Sequence, residues 1–185
     1  LQLSGDGDRV DVANPASFDF NSDFTWHIRF KTGQGSGALL SRNPLGTAWN
    51  QGSKALFIRS DDVQFDTGWV GNPRTNVRVD DDQWHQVIVT FVAETDRFDV
   101  FVDPAPGETE GDYGNSHEVD RFDEHTHLHN DGYAETGFSI GQANFSGGLS
   151  DLNTLVGLVD DVAIFDRALV GAELDQLIED GPASL

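Results

Sequence analysis

The stretch FTWHIRFKT, residues 24–32, repeats with a period of two. Phe24, Trp26, Ile28 and Phe30 fall on one side of an extended chain, and Thr25, His27, Arg29 and Lys31 on the other. Successive side chains of a strand point to opposite faces, so this order belongs to a strand with one face on a core. KALFIRS and DVQFDTG alternate in the same way, whereas HQVIVTFVA and RFDVFVD are apolar almost throughout. The latter two suit strands covered on both faces. SFDFNSDF, GQGSG, NPLG, GNPR, DPAPGE and FSGG are turn signals at short spacing. Many short strands between frequent turns predict an all-β fold, an antiparallel two-sheet sandwich. One short C-terminal helix is expected in VGAELDQLIEDG. Ala172, Leu174, Leu177 and Ile178 have helical spacing there, and Gly181 and Pro182 stop it. So short a helix is expected to cover an edge of the sandwich.

The 185 residues suit a single domain, 1–185. Acidic residues outnumber basic ones 32 to 11, for a net charge of −21. Nucleic acid is excluded as a partner, because binding phosphates takes a cationic surface. Anionic membrane surfaces are disfavoured on the same ground, and no apolar run is long enough to insert. Charge of one sign opposes a compact state unless ions screen it, so a salty habitat is expected. A divalent-cation-binding surface protein is the other reading of the same balance. Without Cys there is no disulfide framework. The chain lacks Met and opens on Leu1, which is expected of a piece of a longer protein.

Both ends of the chain carry a family pattern. LQLSGDGDRVDV places Gly5, Asp8 and Val10 as an opening strand and turn would. DDDQWHQVIVTF carries the Trp84–His85 strand, FSIGQ an Ile-Gly strand, and GLVDDVAIFDRALVGAEL a closing strand and helix. FDVFVDP departs from the pattern, with Pro104 where a Gly is usual. Together they resemble the laminin-G-like domains of the concanavalin A-like lectin and glucanase superfamily, over about Leu1 to Ile178. The resemblance implies a jelly-roll, concanavalin A-like sandwich fold, a structural calcium ion and a secreted or cell-surface setting. Its members bind sugars, bind proteins or space out larger domains. Sugar binding or adhesion is therefore the expected function, with a glycan and the other domains of a parent protein as partners. A glycan hydrolase or lyase, or a pure spacer, is the alternative.

Several residues are candidates for the chemistry. Asp160 alternates with Val162 and Ile164, so it is expected to face the apolar side and to need a cation, an Arg or a row of backbone amides. The resemblance gives it calcium, held together with Asp6 and Asp8 of the opening turn. Trp49, Trp69 and Tyr133 sit in polar, turn-rich stretches, as a sugar platform would. His27 and Arg29, on the polar side of their strand, are further ligand candidates. Trp84 is expected to pack beneath a loop and His85 to make a structural hydrogen bond. The region 105–136 reads as one elaborated acidic loop. Within it Glu118, Asp120 and Glu124 only partly match a glycosidase carboxylate pair. HTHLH aligns His125, His127 and His129 on one face if extended, and two imidazoles, His125 and His127, could then reach a metal. A solvated loop is the other reading of that stretch.

Overall fold

The structure is a computed structural model. It describes residues 1–5, 7–13, 22–44, 53–68, 72, 74–95, 97–112, 136–143 and 154–185. Among the described residues eleven strands run β1 (Gln2–Ser4), β2 (Val10–Val12), β3 (Phe24–Lys31), β4 (Ser36–Pro44), β5 (Lys54–Arg59), β6 (Asp62–Thr67), β7 (Arg74–Arg78), β8 (Trp84–Val92), β9 (Arg97–Val102), β10 (Thr136–Ile140) and β11 (Val156–Phe165). The helix α1 (Ala172–Asp180) follows. The strands form two sheets, ordered β1-β11-β3-β8-β9 and β2-β10-β4-β5-β6-β7. Every named pairing is antiparallel. The fold is a jelly-roll sandwich.

Alternation in β3 builds the core. Phe24, Trp26, Ile28 and Phe30 are fully buried between the sheets, against Val87, Val89 and Phe91 of β8, Phe98 and Val100 of β9, and Leu56, Ile58, Phe65 and Phe138 of the facing sheet. Trp26 meets Phe65 and Phe138 edge-on, with centroids 5.3 Å apart in both pairs. Such edge contacts add to the area that the rings bury.

The helix does not cover an edge of the sandwich, as its length suggested. It lies on the outer face of the five-stranded sheet. Leu174 and Leu177 pack there with Leu169 on Ile88 of β8 and Phe101 of β9. The inner faces of the two strands are unbroken apolar rows on the core, whereas their outer faces are apolar where α1 meets them, at Ile88 and Phe101, and otherwise carry Gln86, Thr90, Arg97 and Asp99. The free edge of β9 is met by the chain that follows it. Asp112 N–H donates to the Val100 carbonyl at 2.7 Å, and Val102 N–H to the Asp112 carboxylate at 2.7 Å. The segment 105–112 thus begins as an edge cover rather than as open loop.

Candidate functional site

Along β8, His85 turns inward beside Phe30, with ring centroids 5.9 Å apart. Trp84, Gln86 and Ile88 therefore turn outward. Ile88 lies under α1, and the Gln86 Nε2 amide reaches the Leu177 carbonyl at 3.5 Å. Beyond the end of α1, Trp84 is left 42% exposed. A cavity of about 390 Å³ opens there, lined by Arg29, Trp84, His85, Gln86, Asp103, Asp161 and the helix end Ile178–Gly181.

Trp84 is a correction: it is not packed beneath a loop. Its environment is set by where α1 stops, some ninety residues later in the chain, so its neighbours in sequence carry no sign of it.

Hydrogen bonds fix the floor of this cavity. Asp103 ends β9 in a left-handed conformation at φ 50°. Its carboxylate accepts from Gln86 N–H at 2.8 Å and meets His85 Nδ1 at 2.7 Å. His85 Nε2 meets Asp81 at 3.0 Å. Burial alone would push the His85 imidazole down, but Asp103 and Asp81 outweigh it and hold its pKa above the ordinary value. The structural hydrogen bond expected of His85 is present on both nitrogens.

One wall comes from an irregularity in β11. Asp160 pairs with Arg29 and Ala163 with His27, so Asp161 and Val162 stand together opposite one residue of β3. Asp161 is left-handed at φ 47°. This bulge turns its carboxylate towards Arg29, whose Nη1 lies 3.3 Å away. The Arg29 guanidinium in turn lies over the Trp84 ring, 5.7 Å from its centroid. An aromatic surface, an arginine, an amide and several carboxylates thus converge on one opening.

The same bulge corrects the expectation for Asp160. The period of two breaks at it: Val159 points into the core, Asp160 is exposed, and Val162 and Ile164 pack inward again. Nor does Asp160 meet the opening turn. Ser4 pairs with Val156, four residues before Asp160, which is about 13 Å along a strand. Asp8 folds back on that far end, accepting from the Ser4 N–H at 2.9 Å and hydroxyl at 2.6 Å. These bonds hold its carboxyl below the usual carboxylate value. Asp8 and Asp160 cannot share one ion, so they do not fit the calcium site expected of them. Asp6 lies outside the described residues. Among the described residues no three His, Cys, Asp or Glu side chains stand close enough to hold a metal.

His27 is also corrected as a ligand residue. It is fully buried beneath α1, its Nε2 2.9 Å from Gln86 Nε2, and burial above all holds its pKa down. Arg29 does reach the site. Trp49, Trp69, Tyr133, His125, His127 and His129, with Glu118, Asp120 and Glu124, lie outside the described residues. Sequence reasoning missed Gln86, Asp103 and Asp161. The doubled Asp at 160–161 was the one available sign of the last, since a bulge needs an extra residue.

No protein-family model matches this sequence, and no curated protein matches it. The fold does match solved structures. The CBM40 module of the Ruminococcus gnavus IT-sialidase superposes with a TM-score of 0.64 at 14% identity, covering 96% of this chain and 95% of that one. A SAP-like pentraxin from Limulus polyphemus gives 0.55 at 17% identity, covering 88% and 72%. Domains LG4-5 of the mouse laminin α1 chain give 0.53 at 13% identity, covering 90% and 40%. The chain has the concanavalin A-like sandwich expected from its motifs.

Proposed function

We propose that this chain is a non-catalytic carbohydrate-binding or adhesion module of a secreted or cell-surface protein, and that the glycan docks at Trp84. The observation that carries the reading is the exposed Trp84 ring at a cavity of about 390 Å³, beside Arg29, Gln86, Asp103 and Asp161. An aromatic surface takes the C–H side of a sugar, and amides and carboxylates take its hydroxyls. The fold supports the reading: the CBM40 module has also been solved with α2,3-sialyllactose. No helix among the described residues is long and apolar enough to cross a membrane. One stacked sugar contributes about 1 kcal/mol, so single-site affinity is expected in the roughly micromolar to millimolar range. Adhesion would then need several copies of the module.

The test is glycan-array binding of the wild type and Trp84→Ala, with melting curves for both. Retention of a glycan by the wild type, loss in the variant and nearly equal melting temperatures are expected. A silent array, or unchanged retention by the variant, would overturn the proposal. Release of reducing ends from a bound glycan would point to hydrolysis instead.

A further inference from the structure

The charges around Trp84 define the class of ligand, on the reading that Trp84 is the sugar platform. Among the described residues four carboxylates line the cavity, from Asp103, Asp161, Glu179 and Asp180, against the guanidinium of Arg29 and the imidazole of His85. Arg29 is already paired with Asp161, and Asp103 is engaged by His85 and the Gln86 amide. Glu179 and Asp180 are exposed and form no ion pair among the described residues. They stand in the last turn of α1, which holds no basic residue. The carbonyl end of a helix is already its negative pole and favours cations. Two carboxylates there oppose the helix, and the chain's net charge of −21 deepens the same potential. An acidic sugar would bring another negative charge to this rim and find Arg29 already paired. A cation would find unneutralised carboxylates beside an exposed aromatic ring, a pairing suited to ammonium groups.

We propose that the ligand is a glycan bearing free primary amines, of the deacetylated hexosamine type. A pyranose ring packs on the exposed part of Trp84, and its ammonium group is directed to Glu179 and Asp180. Arg29 and Asp161 form the opposite wall, within reach of hydroxyls.

The experiment is calorimetric titration of the protein with glucosamine oligosaccharides, their N-acetylated counterparts and sialyllactose, in low and in molar KCl. Glucosamine oligosaccharides are expected to bind more tightly than the N-acetylated ones, and sialyllactose least. The difference is expected to shrink in molar salt as screening removes the charge contribution. The double variant Glu179→Gln, Asp180→Asn should weaken glucosamine binding about fivefold, the scale of exposed charge pairs, and leave N-acetylated binding unchanged. Trp84→Ala should weaken both sugars. Equal or tighter binding of the N-acetylated or sialylated probe overturns the ligand class while leaving Trp84 as the platform. Glucosamine binding untouched by both variants is general attraction to an acidic protein, and also overturns it. Failure of every probe to bind sinks the sugar reading itself.

Discussion

On the outer face of the six-stranded sheet, Asp66 of β6 stands opposite Ala55 of β5. Burial raises its carboxyl to about 6, and Arg59 pulls it only weakly the other way. A carboxyl raised on folding gives stability that is full below its unfolded value and is lost as pH rises through about 6. A rise from the ordinary carboxylate value to about 6 corresponds to about 3 kcal/mol. Asp66→Asn is therefore expected to stabilise the fold at neutral pH by up to that amount, and to flatten the loss between acid and neutral pH. Denaturant melts across pH check this; an Asn variant with the wild-type pH profile would contradict it. The two described histidines act in opposite senses. His85 is raised, so its contribution is full in acid and fades as pH climbs through its folded value. His27 is lowered by burial, so the fold loses stability as pH falls below the ordinary imidazole range. His85→Asn should remove the alkaline loss and His27→Gln the acid loss, each read from melting temperature against pH. Calcium belongs to the same scale. Because Asp160 is exposed and far from Asp8, Asp160→Ala is expected to leave any calcium-induced rise in melting temperature unchanged. Disappearance of that rise would restore Asp160 as a ligand.

The elements show where sequence reading works and where it stops. β3 was legible because each residue reports its own face, and β8 and β9 because their β-branched and aromatic residues form unbroken rows on the core face. β4 was not named from sequence. Its pairing with β5 shifts register between Ala38 and Leu40, and its later residues Ser41 and Asn43 are polar though buried, so no period survives. β7 is an edge strand whose Arg74 is paired with Asp62 of β6, and it reads as polar chain. The helix was legible as a helix but not in its placement, because nothing in VGAELDQLIEDG says which surface it meets. The site inherits that blindness, since Trp84 and Gln86 differ only in being beyond or beneath α1. Leu177 is fully buried on Ile88 and Phe101, so Leu177→Ala is expected to cost about 2–5 kcal/mol. Chemical denaturation measures this, and a cost near zero would mean that α1 is docked by other contacts. Gly157 of β11 tests the sheet itself. A Cβ there would stand 2.3 Å from the Lys31 carbonyl at the end of β3. Backbone cannot yield as a side-chain tip can, so Gly157→Ala should destabilise by at least the roughly 1–3 kcal/mol typical of overpacking.

At the scale of the whole molecule the governing quantity is charge. Among the described residues many carboxylates do have partners: Arg78 with Asp80, Arg97 with Asp99 at 2.6 Å, Arg167 with Glu173 at 2.5 Å. Yet 11 basic residues cannot neutralise 32 acidic ones. The excess must repel itself across the surface. Pairs exposed on both sides, such as Arg167 with Glu173, contribute about 0–1 kcal/mol each, so breaking them by screening costs little. Screening the unpaired excess acts over every separation longer than the Debye length, which falls from about 30 Å at low salt to about 3 Å at molar salt. Added KCl is therefore expected to raise the melting temperature steeply at first and then level off once the Debye length drops below the spacing of neighbouring carboxylates. The same addition should weaken capture of a cationic ligand, so stability and binding would move in opposite directions with salt. Thermal melts from low to molar KCl, with calcium held saturating, separate screening from specific ion binding. A flat response would show that the acidic residues are locally neutralised, and the charge-based reading of the Trp84 cavity would lose its long-range component with it.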